Sequence, residues 1–441
     1  MRTPSPSETL TFDGWPHGVN NRLRETEGVF GRDRDPRSIP ANQALREAIN
    51  VDLTRMGRPL RRDGYDLVES GFTHSLWSDP QLDWGLVVRE GWLARVRPRG
   101  ELEPLEEVHP YAPMSYAVAN GVAYYSNGID RGRVDAMGPL HWGLDRPAKP
   151  ELTVTQSGAL DPGTYRVALT YEDSTGEEHG ASQEATTHVA KGEGLRVTAF
   201  GPWPPEALWA RVYVSRPEGE VLYHAVSLAA PGSAVIDPSM LERGMELETA
   251  EMRAPSPGHI VRYFSGRMYI ARRDTIIFTE PLRYSLTRPS QGVYMFPSDV
   301  TLMEPVLDGI YVGFEGGVVF IAGTDPYQVE QVNVLQHSPV PRASTMIPGE
   351  SVGANSAHVP VWWGKDGAMV AGLPGGQVEQ LTKDRLATPR FASGAVMYRE
   401  REGMAQVVSS LHRGGEPSMA GASDSAVAEV RRATRKLNCT R

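Results

Sequence analysis

The sequence predicts an all-β protein: a β-propeller-like body of about six blades, interrupted near its middle by an immunoglobulin- or fibronectin-like β-sandwich. Three observations predict it. Short runs alternate apolar with polar residues, the period of a strand with one face buried. Glycine (45) and proline (35) punctuate those runs, in a chain with no collagen period and no long low-complexity tract. The charge is also partitioned. Residues 151–250 carry 15 acidic and 6 basic side chains, which is the whole net charge of −9; the remainder holds 39 of each sign. A segment with its own charge balance suggests a separate domain.

Residues 1–43 are polar, rich in Arg, Asp, Pro and Gly, and read as an extended N-terminal arm. The first part of the propeller is placed at 44–146. A brief helical pattern at 44–49 gives way to alternation over Ala48-Ile49-Asn50-Val51-Asp52-Leu53. A turn at Met56-Gly57-Arg58-Pro59 then leads into Leu60-Arg61-Arg62-Asp63-Gly64-Tyr65. Further strand–turn–strand units follow at 86–96 and 115–125. The second part, 254–411, repeats the pattern at 260–271, 309–321, 359–371 and 395–408. With 151–253 set aside, successive turns lie roughly 30 to 50 residues apart, the spacing of four-stranded blades. A lone hairpin cannot bury its apolar face; stacking such sheets around an axis does.

The segment 147–253 reads as the inserted sandwich. Seven short strands are expected near 151–155, 163–171, 184–189, 195–200, 210–215, 221–226 and 234–237. In the second, Tyr165, Val167, Leu169 and Tyr171 share a face. The tail, 412–441, is polar and basic, with a three-turn helix predicted over 425–437.

The chemistry expected of this chain is sparse. It has no Walker loop, no GxGxxG opening a helix and no HExxH. Gly349-Glu350-Ser351-Val352-Gly353 matches the nucleophile-elbow pattern but is followed by no helical periodicity. His179, His188 and His224 are not spaced as metal ligands from one element. The single cysteine, Cys439, allows no intramolecular disulfide. The polar N-terminus predicts no secretory leader, and no run approaches 18 apolar residues. No catalytic residue, cofactor or metal is expected. The enzymatic alternative is a propeller glycosidase, with Asp299, Glu304, Asp308, Glu315 and Asp325 as its carboxylates. Trp203, Trp209, Trp362 and Trp363 are candidate interface residues. Trp362 and Trp363 are adjacent, so in a strand they face opposite sides. One is expected in the core and the other exposed or at a subunit contact.

Several stretches resemble virion structural proteins of tailed bacteriophages. They are Gly18-Val19-Asn20-Asn21-Arg22-Leu23, Ala48-Ile49-Asn50-Val51-Asp52-Leu53 with Leu60-Arg61-Arg62-Asp63-Gly64, and Phe278-Thr279-Glu280-Pro281-Leu282-Arg283. Val318-Val319-Phe320-Ile321-Ala322-Gly323-Thr324-Asp325-Pro326 and Gly372-Leu373-Pro374-Gly375-Gly376-Gln377-Val378-Glu379 complete the set. Within that group the architecture resembles the nozzle, or tail-hub, family of short-tailed phages. The resemblance implies a homohexameric ring in the tail of a virion, assembled in the host cytoplasm. Its partners would be the adaptor, fibres or spike, with genomic DNA in transit. It carries no catalytic motif and therefore no site residues. A receptor-binding or fibre-attachment module of the tail is the alternative of a different class.

Overall fold

The computed structural model describes residues 19–22, 44–45, 51–53, 58–61, 67, 70–242, 244–382, 385–386, 388–401, 404–413 and 437–439. Among these there is no α-helix; three single 3-10 turns interrupt an otherwise all-β chain. The described residues fall into two compact units. One comprises those in 71–299 with 325–327. The other comprises those in 1–70, 300–324 and 328–441.

The first unit holds three antiparallel sheets and a sandwich. Sheet I is a four-stranded meander of Thr73–Ser78, Gly85–Arg89, Trp92–Val96 and Leu102–Glu107. Sheet II repeats it with Ser115–Ala119, Val122–Ser126, Arg131–Val134 and Pro139–Leu140. In sheet III, Ile260–Phe264, Arg267–Arg272 and Thr275–Glu280 run in order. The outer edge of the third strand is shared between Arg283–Thr287 and Val293–Met295. The first three strands of these meanders come from short, largely apolar runs closed by tight turns. At Asn120-Gly121 both residues have positive φ (53° and 75°), the type I′ geometry whose twist matches that of the flanking strands.

The three sheets stack face to face. Leu86, Val88 and Leu93 of sheet I meet Tyr116, Val118 and Tyr125 of sheet II. The opposite face of sheet II, through Ala117, Ala119 and Tyr124, packs on Val261, Met268 and Ile270 of sheet III. Burial on both faces explains why the inner strands read as nearly continuous apolar runs.

The sandwich supplies seven strands, at the places the alternation predicts. One sheet orders Glu151–Thr155, Gly194–Ala199 and Gly232–Ile236. The other orders Ala185–Val189, Gly163–Asp173, Ala207–Ser215 and Leu222–Leu228. Tyr165, Val167, Leu169, Leu195, Val197, Val212 and Ile236 form the core between them. The assortment differs from the immunoglobulin one. There the first, second, fourth and fifth strands share a sheet; here the first joins the fourth and seventh. The sandwich has its own core and belongs with sheets I to III to the first compact unit.

The second unit contains the hairpin Val51–Leu53 with Pro59–Arg61, and three more sheets. Sheet IV is Leu302–Val306, Gly309–Phe314, Gly317–Ala322 and Glu330–Leu335. Sheet V is Pro339–Pro348, His358–Gly364, Met369–Gly372 and Val378–Gln380. Sheet VI is Ser393–Arg401, Met404–His412 and Leu437–Cys439. These too stack by their faces, IV on V and V on VI. Of the predicted tail helix, only its last residue, Leu437, is described, and it lies in a strand; 425–436 fall outside the described residues. Of the arm and the 44–49 pattern, only 19–22 and 44–45 are described, joined by a parallel bridge between Val19 and Leu45.

Candidate functional site

Among the described residues, a cluster of ionisable groups lies where the long strand Gly163–Asp173 ends. Asp173 caps its own turn: its Oδ1 accepts the Thr175 N–H at 2.8 Å and the Glu177 N–H at 3.1 Å. That leaves Oδ2 for the Arg133 guanidinium of sheet II, with Nη2 at 2.8 Å. His179 Nε2 lies 3.4 Å from the same oxygen. Glu177 takes Arg133 Nη1 at 3.3 Å and the Ser285 hydroxyl of sheet III at 2.8 Å. One node thus joins sheet II, the sandwich and sheet III.

Burial alone would push the Asp173 carboxyl up. Hydrogen bonds from His179, Thr175 and the Glu177 backbone outweigh it and hold the group well below the usual carboxylate range. Burial likewise works against the Arg133 charge, but Glu177 and Asp173 raise its pKa. Burial pushes the neighbouring Tyr124 hydroxyl up to about 12. On the other face of the same strand, Arg211 pairs with Glu172 and Glu178, and Glu178 also accepts the Thr170 hydroxyl at 2.7 Å.

Asp173, Glu177 and His179 offer three donor atoms within 4.8 Å of one another, the outline of a metal site. The chemistry of the donors does not fit one. The Leu144 N–H points at His179 Nδ1 at 3.4 Å, which leaves Nε2 as the protonated nitrogen facing Asp173. The cationic position between the carboxylates is taken by Arg133. Desolvating these groups costs several kcal/mol per ion, so the node needs all its partners. It serves as a fastener.

Trp362 and Trp363 are both buried within the chain (1% and 0% exposed), which corrects the expectation that one faces outward. They do alternate. Trp363 faces sheet VI, donating to the Ser409 hydroxyl at 2.9 Å. Trp362 faces sheet IV and packs on Tyr311. Sheet V is covered on both sides, so opposite faces are both core. Trp203 is half-buried against Tyr171 and donates to the Ala207 carbonyl, which makes it mainly a packing residue. Trp209 is exposed.

Among the carboxylates, Glu304 is buried and accepts the Ser344 hydroxyl at 2.7 Å. Asp308 accepts the Gly375 N–H, and Asp325 accepts that of Tyr327. Asp308 and Glu315 flank opposite ends of the strand Gly309–Phe314. At about 3.3 Å per residue that separates them by roughly 20 Å, too far for a glycosidase pair at roughly 5 to 9.5 Å. Ser351 sits in the 3-10 turn Gly349–Val352; a strand precedes it, but no helix follows among the described residues. His188 lies in the strand Ala185–Val189 and His224 in Leu222–Leu228, where its Nε2 meets the Ser227 hydroxyl at 3.0 Å. The fastener itself was invisible in the sequence, because Arg133 and Asp173 are 40 residues apart. The Asp173-x-Thr175 turn is its one local signal.

No protein-family model matches the chain, and no curated protein does. Solved structures similar to it include a streptogramin B lyase, 10% identical, covering 78% of this chain and 92% of that one, with a TM-score of 0.33. The WD40 domain of Neurospora crassa Pan2 is 9% identical over 78% and 86%, with a TM-score of 0.32. A catalytically inactive virginiamycin B lyase from Staphylococcus aureus, with quinupristin, is 6% identical over 77% and 92%, with a TM-score of 0.30. At these identities and scores the likeness carries no argument about the chemistry of this chain.

Proposed function

We propose that the chain is a non-enzymatic structural protein of a short-tailed phage tail, forming a homohexameric nozzle ring through which DNA leaves. The observation that carries this reading is where the phage-like stretches lie. Val51–Leu53, Phe278-Thr279-Glu280-Pro281-Leu282-Arg283, Val318-Val319-Phe320-Ile321-Ala322 and Gly372 to Glu379 fall on strands and the turns joining them. They are framework, and their side chains assemble no reactive set among the described residues. In this reading the six sheets are the blades of a propeller, and the sandwich is an insert turned outward to neighbouring tail proteins. The near-zero net charge outside 151–250 supports passage of DNA without persistent phosphate clamps.

Native mass measurement of the purified protein, followed by imaging of the particle, tests the proposal. Six copies in a ring are expected. A monomer that binds host cells or glycans would instead favour the receptor-binding alternative and end the ring reading.

A further inference from the structure

Trp209 stands on the outer face of the sandwich. Ala210, Val212 and Val214 of the strand Ala207–Ser215 turn into apolar clusters, so Trp209, Arg211 and Tyr213 turn to the opposite face. On that face Glu172 lies directly across from Trp209. Thr170 and Ser227 flank Arg211, and His224 lies across from Tyr213. One end of the face is covered, where Tyr213 packs with Ala181, Leu222 and Leu247. The end that carries Trp209 is open, and its indole is 36% exposed.

Two features fix that indole in place. Glu172 pairs with Trp209 and Asp173 with Ala207, which leaves Leu208 without a partner. This is a β-bulge, a device that re-aims a side chain. The loop before the bulge is anchored by Trp203, whose ring lies 5.3 Å from that of Tyr171 and whose Nε1 donates to the Ala207 carbonyl at 3.0 Å.

The polar groups beside the indole are pre-arranged and offer little free charge. Arg211 Nε donates to Glu172 Oε2 at 2.5 Å, and Nη1 lies 3.4 Å from Glu178 Oε2. With its charge taken by two carboxylates, Arg211 does not select an anion. Burial, with the Arg211 charge nearby, holds His224 below its ordinary value, so the ring is uncharged at neutral pH. Its Nε2 meets the Ser227 hydroxyl at 3.0 Å. Glu172 Oε1 meets no donor among the described residues. The surface therefore combines hydrogen-bonding atoms with a bare aromatic face. A matching ligand brings hydroxyls to the first and weakly positive C–H groups to the second. A sugar ring carries both.

We propose that the Trp209 end of this face binds a neutral glycan, one sugar ring stacking on the indole while its hydroxyls bond Glu172, Ser227 and Arg211. The site goes beyond the structural role proposed above and does not depend on the ring.

The test applies the full chain to an array of malto-, cello-, chito- and manno-oligosaccharides. Sialylated and uronate-containing oligosaccharides form a second arm, and basic peptides a third. Retention in the neutral arm is expected, and titrating the best-retained member should change the tryptophan fluorescence. Trp209→Ala should weaken that binding roughly tenfold or more, and Trp209→Phe should recover part of the loss. Trp92→Ala removes another exposed indole and should leave binding unchanged. An unchanged urea midpoint for Trp209→Ala shows that the loss is not a folding defect. No retention in the neutral arm, or retention that Trp209→Ala leaves intact, overturns the site. Retention confined to the acidic or peptide arm overturns the ligand class and with it the proposal. A six-copy ring that retains no glycan refutes this site and spares the ring; a monomer that binds through Trp209 does the reverse.

Discussion

Asp173 shows how one side chain is committed three times over: to its own turn, to Arg133 and to His179. Removing Arg133 from such a set leaves the Asp173 and Glu177 carboxylates without their cation. Arg133→Met is therefore expected to cost about 3–5 kcal/mol, read as a fall in the urea midpoint; a change under about 1 kcal/mol would show that solvent enters the node and screens it. Acid should act on the same group. Its folded pKa is depressed, so the unfolded chain binds the proton more readily. The stability it contributes is fully present above roughly pH 4, near its unfolded value, and is lost as pH falls towards the lower folded value. Asp173→Asn should flatten this acid-side loss in urea titrations run from about pH 5 down to about pH 3. An unchanged slope would assign the acid sensitivity to other carboxylates.

Hairpins were legible because their signal is local: a short apolar run on each side of a turn. All six units expected downstream of residue 80 are present, as are the sandwich's seven strands. The fourth strands were not legible. Glu330–Leu335 is an edge strand lying largely open to solvent, and Leu102–Glu107 is an edge strand with no fully buried residue, so burial imposes no alternation on them. The burial of both Trp362 and Trp363 was hidden for a related reason, since a strand's own sequence does not say whether one or two sheets will cover it. The ion-pair node depends on pairings between distant strands and left only its turn in the sequence. Two glycines separate the local from the tertiary contribution. Gly121 has φ of 75°, and a methyl group there would meet nothing within 4 Å, so the cost of Gly121→Ala is backbone strain alone, about 1–2 kcal/mol. At Gly132 the added methyl would lie 2.1 Å from the Tyr125 hydroxyl, and the cost is crowding, about 1–3 kcal/mol. Asparagine tolerates positive φ, so Gly121→Asn should recover much of the loss, whereas Gly132→Asn should worsen it. Equal responses to asparagine at both sites in thermal melts would sink the distinction.

At the scale of the whole molecule, the division into units makes a prediction about autonomy. The apolar clusters of the first unit lie within 71–299: between sheets I and II, between sheets II and III, and inside the sandwich. So do the Arg133 node and the bond from Arg95 to the Asp135 carbonyl. What the unit takes from beyond 299 is its short segment 325–327. The Tyr294 hydroxyl donates to the Pro326 carbonyl at 2.7 Å, and the Tyr327 ring lies 5.5 Å from Phe278 and 5.7 Å from the Arg267 guanidinium. Those contacts cover one end of sheet III rather than fill a core. A fragment spanning 71–299 should therefore fold alone, with a cooperative urea transition and a near-ultraviolet signal from Trp142 and Trp84, both buried in it. Removing Tyr327 in the full chain, by Tyr327→Ala, should expose Phe278 locally and leave that transition cooperative. A fragment with strand content but no near-ultraviolet signal and no cooperative transition would mean that the three sheets need the rest of the chain to order, and that the unit boundary at 299 divides one folding body.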